Sequence, residues 1–343
     1  MNSAKGGAPD VSPVWITLDH GRPSPALVDF LEEVRPYGVI LFARHLEDAA
    51  QVRELTACIA EARGGDVFIG LDQEGGRVSR LSKLGYVFPG ASDVLSNPET
   101  ARSVAGEMGS VLMETGFHVD FAPVADLGPA GSGTGLEERV YSHRPETVIA
   151  CCGAFLDGLC SSGILGCIKH FPGLGGSTVD SHEVLPVISG TQEERETHLE
   201  PFRALIRRVP FAMVSHGSYG FLEEGVPASL CAKTYTLLRS LGFRGIAVTD
   251  DLSMGAAEAS GPLGDRVIAA LAAGADIALW VSGQERTLRI VERIRKDPRA
   301  LAWMSALTYA GDDAGEPVFP GRVYSKRGNS PGVPSVGSGY TPA

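Results

Sequence analysis

The chain has 343 residues with 43% hydrophobic side chains, so it can build a sizeable core in one large domain or two small ones. Thirty basic against 41 acidic residues give a formal charge of −11, which argues against nucleic-acid or membrane-surface binding. No apolar run reaches the roughly 18 residues of a membrane span, and residues 1–10 lack the apolar core of a secretory signal.

In chain order, short apolar runs are expected as strands at Val14–Leu18, Gly38–Phe42, Val67–Leu71, Val119–Pro123, Leu165–Ile168, Phe211–Val214, Ile246–Val248 and Ile277–Val281. Amphipathic stretches lie between them: Ala49–Ala62, Glu99–Thr115, Pro145–Ser161, Glu193–Arg208, Thr234–Leu241 and Asp265–Ala273. Continuous apolar strands alternating with helices predict a parallel sheet covered on the outside. Eight such units over about 270 residues suit a single α/β (β/α)8 (TIM) barrel better than an open, doubly wound sheet. The barrel is expected over residues 1–310, followed by a Gly/Pro/Ser-rich tail over 311–343. The six cysteines contain no C-x-x-C pair and read as reduced core residues of a cytoplasmic protein.

Each run ends in polar residues: Asp19, Arg44-His45, Asp72-Gln73-Glu74, Asp126, Lys169-His170, His216, Asp250-Asp251 and Ser282. Barrel enzymes carry their chemistry on these strand ends. Some of the pattern reflects only strands leaving the core, but that explains Lys169-His170 and Asp250-Asp251 poorly. Lys169-His170-Phe171-Pro172-Gly173 is followed by Asp180-Ser181-His182. Residues two apart on an extended segment share a face, so Asp180 can orient His182 as a proton carrier. Asp250 and Asp251 crowd two carboxylates at a barrel mouth, one suited to act as nucleophile and the other to cap. Asp72 can accept paired sugar hydroxyls, and Arg77 can clamp an oxygen or support its loop. Taken singly, Arg139 is as readily a surface charge and His216 a satisfied core histidine. The Gly173–Ser177 stretch lacks the Lys-Ser/Thr ending of a phosphate loop, which discounts nucleotide binding.

These segments resemble glycoside hydrolase family 3, in its β-N-acetylglucosaminidase (NagZ-like) branch. The resemblance rests on Lys169–Gly173 with Asp180-Ser181-His182, on Thr249–Met254 and on Asp72–Val78. Gly38–Phe42 and Pro227–Leu230 add to it, and it covers roughly residues 13 to 290. It implies a lone barrel and a retaining hydrolase that removes terminal β-linked N-acetylglucosamine from muropeptide or other cell-wall fragments. It further implies Asp250 as nucleophile, His182 as acid/base held by Asp180, and Asp72, Arg139, Lys169, His170 and His216 around the sugar. The expected partner is a small carbohydrate, such as an anhydro-muropeptide, with no cofactor, no metal, no nucleic acid and no membrane; the oligomeric state is left open. Three departures stand out: Leu174 replaces the second His of K-H-F-P-G-H-G, Glu138-Arg139-Val140-Tyr141 replaces D-R-S-F, and His45 replaces a common Asn. Three other readings stay open: phosphorolysis of the same substrates, a metal-dependent hydrolase using His170, Asp180, His182, His216 and Asp250, and a non-catalytic sugar-binding protein.

Overall fold

The computed structural model describes residues 11–93, 97–128, 134–177, 179–180 and 184–298. Eight parallel strands form its centre: β1 (Ser12–Ile16), β2 (Pro36–Ile40), β3 (Phe68–Leu71), β4 (Val119–Asp120), β5 (Leu165–Phe171), β6 (Phe211–Val214), β7 (Ile246–Thr249) and β8 (Ala278–Trp280). Neighbours in sequence are neighbours in the sheet, and β8 also pairs with β1. A bridge between Val248 and Ile277 closes the ring, helped by the Leu279 amide donating to Thr249 Oγ1 at 3.0 Å. The expected (β/α)8 barrel is therefore the observed fold.

Helices α1 (Pro25–Val34), α2 (Ala49–Ala62), α3 (Pro98–Glu114), α4 (Pro145–Ser161), α5 (Gln192–Leu205), α6 (Ala232–Ser240), α7 (Leu263–Ala273) and α8 (Gln284–Ile294) surround it, with a one-turn helix at Gly255–Glu258. Side-chain caps start several of them: Ser24 accepts from Leu27, Asp48 from Ala50 and Gln51, and Asn97 from Glu99 and Thr100. Asp19, at the end of the first apolar run, belongs to this class, because its carboxylate accepts the Gln284 amide that opens α8. His45 is also structural. Its Nδ1 accepts the Phe42 amide and its Nε2–H donates to the Leu18 carbonyl, each at 2.9 Å. Burial, then the neighbouring Arg44, lowers its pKa to about 4, so it stays neutral. The segment expected as a tail from residue 311 lies outside the described residues.

Strand alternation divides the core in two. Val14 and Ile16 face the helices, whereas Trp15 points into the barrel with Phe68, Val119, Phe121, Cys167, Phe211 and Val248. Trp15 meets the Phe121 ring edge-on at 4.9 Å and stacks on Phe68 at 6.2 Å. This plug is possible because β2 carries Gly38 opposite the indole, where an added Cβ would lie 2.4 Å from the ring. Gly38→Ala is therefore expected to overpack the barrel and lower stability by about 1–3 kcal/mol, read as an earlier urea midpoint with an unchanged slope.

Candidate active site

The strand ends and their loops enclose a cavity of about 520 Å³. Its walls include Asp72, Glu74, Arg80, Arg139, Lys169, His170, Asp180 and Asp250. The electrostatic centre is Lys169, whose side chain is only 2% exposed. Its Nζ lies 2.9 Å from Asp72 Oδ1 and 2.7 Å from Glu74 Oε1. Arg139 grips the same Glu74 with both arms, Nε to Oε2 at 2.8 Å and Nη2 to Oε1 at 2.9 Å. Burial alone would raise the Glu74 carboxyl, but Arg139 and Lys169 together hold it well below the usual carboxylate range. Burial would likewise lower Lys169, and Asp72 and Glu74 reverse that, keeping it charged.

A bulge brings Lys169 and His170 into this cavity. The sequence reading ends the strand at Ile168, whereas β5 runs on to Phe171 and carries both residues. Ile168 pairs with Ala212 but Phe171 pairs with Val214, so β5 holds one more residue than β6 over this stretch. Ile168 and Phe171 consequently both pack toward the helices, while the two polar residues between them line the cavity. His170 Nδ1–H donates to Asp126 Oδ2 at 2.7 Å, and Asp126 Oδ1 accepts the Leu174 amide at 2.6 Å. Asp126 is fully buried and fixes the ring, leaving Nε2 toward Arg139 Nη2 at 3.5 Å.

At β7 the two carboxylates divide their work. Asp250 lines the cavity, with its Oδ1 accepting the Asp251 amide at 2.8 Å. Asp251 Oδ1 accepts the Ser253 amide, the Ser253 hydroxyl and the Val281 amide, which pins the turn. His216 is not among the cavity-lining residues. It is buried behind this turn, donating from Nε2 to the Asp251 carbonyl at 2.8 Å and accepting at Nδ1 from the Ser229 hydroxyl at 2.7 Å. It thus supports the Asp250-Asp251 corner and lies away from the described cavity wall.

The loop after β5 places Asp180 on the wall against Gly135, where a Cβ would come within 2.9 Å of its Oδ2. Gly135 has φ +74°, and its carbonyl accepts from Arg77 at 2.7 Å and Arg139 at 3.1 Å. Arg77 thus supports the loop. At the base of the β5 loop, the Tyr219 hydroxyl donates to the Gly173 carbonyl and the Ser218 amide to Pro186. His182 lies outside the described residues. Leu174 is buried with Val124, Leu136 and Val140, so the apolar residue at the family's His position meets apolar neighbours.

Several site residues escape a reading of the sequence. Arg80 is returned beside Asp72, at 3.5 Å, by a short ribbon in which Gln73–Gly75 pairs antiparallel with Val78–Ser79. Gly75 and Gly76, both at positive φ, are the turn signal that could have revealed it. Asp126 and Glu74 stand out in the sequence as polar strand ends, but their pairing with His170, Lys169 and Arg139 has no local signal.

The model of the glycosyl hydrolase family 3 N-terminal domain matches residues 14–300. A beta-hexosaminidase of Pseudomonas aeruginosa is 33% identical over 315 residues, covering 89% of this chain and 92% of the relative. A family 3 beta-N-acetylglucosaminidase from Paenibacillus sp. str. FPU-7 superposes with TM-score 0.77 at 28% identity over 90% of this chain. The present chain spans 63% of that longer one, just under two thirds. NagZ from Neisseria gonorrhoeae, solved with N-trifluoroacetyl-D-glucosamine, gives TM-score 0.71 at 28% identity, covering 86% of this chain and 90% of that chain.

Glu74→Gln would leave Lys169 and Arg139 facing a neutral amide. A loss of about 3 kcal/mol is expected, read by urea unfolding near neutral pH. Glu74 is depressed, so its contribution is complete above the ordinary carboxylate pKa and lost as pH falls through and below that range. The gap between variant and wild type should therefore narrow on acidification.

Proposed function

Because the chain belongs to glycosyl hydrolase family 3, we propose that it is a retaining exo-β-N-acetylglucosaminidase acting through Asp250, His182 and Asp180. The observation that carries this reading is the shared cavity, lined by the charged cluster of Asp72, Glu74, Lys169 and Arg139 together with Asp250 and Asp180. Paired carboxylates and cations suit a ring of sugar hydroxyls, and His170 and Arg80 extend the same wall. The named activities of the hexosaminidase and N-acetylglucosaminidase relatives support the sugar.

In the proposed mechanism, Asp250 attacks the anomeric carbon and forms a glycosyl ester as the glycosidic bond breaks. His182 gives its proton to the leaving oxygen, then takes one from the water that hydrolyses the ester. Asp180 holds the imidazole in the required tautomer. A histidine in place of a second carboxylate is neutral after the first step and does not repel the Asp250 carboxylate. The Asp251 amide on Asp250 Oδ1 supports an ionised, oriented nucleophile.

The substrates are proposed to be cell-wall fragments such as anhydro-muropeptides, processed in the cytoplasm. No helix among the described residues is long and apolar enough to cross a membrane. Cys151, Cys152, Cys167 and Cys231 are buried thiols, which suits a reducing compartment.

The test is release of 4-nitrophenol from its β-N-acetylglucosaminide, with the β-glucoside as control. The wild type is expected to turn over the first and leave the second untouched. Asp250→Asn should lower kcat by about a thousandfold or more. His182→Ala should lose less with this leaving group, which departs with little protonation, and more with an alkyl glycoside. Folded wild type that releases no nitrophenol would defeat the proposal.

A further inference from the structure

At the end of β4 lies an acid that the proposed mechanism does not use. Asp120 is fully buried. Its Oδ1 accepts the Gln73 amide at 2.9 Å, and its Oδ2 has no hydrogen-bond partner among the described residues. Gln73 stands between Asp72 and Glu74, the two carboxylates that hold Lys169. Asp120 is therefore one peptide unit behind both.

The charges in front of it are already paired with one another: Lys169 with Asp72 and Glu74, Arg139 with Glu74 and Arg80 with Asp72, none of them with Asp120. An ionised Asp120 would bring a third negative charge with no cation of its own, and a carboxylate oxygen with no donor. Both are strongly unfavourable at full burial. A neutral acid avoids the charge and still offers its carbonyl oxygen to Gln73.

We propose that Asp120 is a positioning residue for the sugar site that works as an uncharged acid. Through the Gln73 amide it sets Asp72 and Glu74 around Lys169, and its protonated oxygen leaves the ion pairs of the site untouched. The titratable or charged groups that face it are Asp72 and Glu74 on the ribbon, Lys169 and Cys167 on β5, and Tyr141 in the loop after β4. Burial drives its carboxyl well above the ordinary range; the Gln73 amide and Lys169 oppose this, and Asp72 and Glu74 reinforce it. Once pH rises far enough to ionise Asp120, the new anion competes with Asp72 and Glu74 for Lys169. Sugar binding then weakens and KM rises.

This inference rests on the reading that the cluster holds the sugar, and the test keeps the two apart. KM and kcat for the nitrophenyl N-acetylglucosaminide are measured from mildly acidic to alkaline pH for wild type, Asp120→Ala and Asp120→Asn. Asp120→Ala removes the acceptor and is expected to raise KM by about tenfold. Asp120→Asn keeps the acceptor without the ionisation, so it should restore most of that loss and abolish the alkaline rise in KM. If the Asn variant is as impaired as the Ala variant near neutral pH, an anion is required and the proposal is overturned. An alkaline rise in the Asn variant that superimposes on the wild type also overturns it. Infrared difference spectra decide independently of turnover. A protonated-carboxyl band in the wild type near neutral pH that Asp120→Asn lacks supports the proposal, and its presence in both overturns it. Failure of the wild type to release nitrophenol would instead defeat the proposed activity while the infrared result still stands.

Discussion

A lysine sealed from water at the top of the barrel governs the layout of the site. Lys169 can be buried only because Asp72 and Glu74 meet its ammonium group and Arg139 locks Glu74 from the other side. The cluster draws on three segments: Asp72 and Glu74 directly after β3, Arg139 in the loop after β4, and Lys169 at the bulge in β5. To satisfy one cation, these three segments must converge, and the cavity is the space they leave. The cavity floor and the local packing thus share one electrostatic condition.

Below that floor the barrel is filled by apolar side chains. Trp15 lies across the interior among Phe68, Phe121 and Phe211, and glycine on β2 makes room for it. Packing at the bottom gives the rigid frame that loops cannot supply for themselves, and charge pairing at the top aims the polar side chains. Behind the mouth, His216 and Asp126 each use their polar atoms to hold a residue that does face the cavity, Asp251 and His170.

The barrel was legible because its strands are continuous apolar runs. All eight were visible in the sequence, and the stretch 145–161 matches its helix end to end. The converging strand ends were legible too, since residue types such as Lys169-His170 and Asp250-Asp251 are costly to leave without partners. What stayed hidden depends on contacts between distant segments. Arg80 returns to Asp72 only through a short ribbon, Asp126 reaches His170 across 44 positions, and Asp120 reaches Gln73 across 47. His216 shows the opposite limit, because a histidine at a strand end reads the same whether it faces a ligand or braces a turn. The β5 boundary was misplaced since a period-two pattern cannot register a bulge.

That bulge makes the stretch from Ile168 to Phe171 a matter of counting. With three steps on β5 against two on β6, Lys169 and His170 share the cavity while the residues on either side stay in the core. Removing one of the two residues between them would restore the plain alternation, keep Phe171 opposite Val214 in the core and leave a single polar side chain at the cavity. Substitutions here alter a contact, whereas a single-codon deletion removes one member of the Lys169-His170 pair from the cavity wall. The number of residues in this stretch, and not only their identity, therefore sets how many polar side chains the strand can present at the mouth.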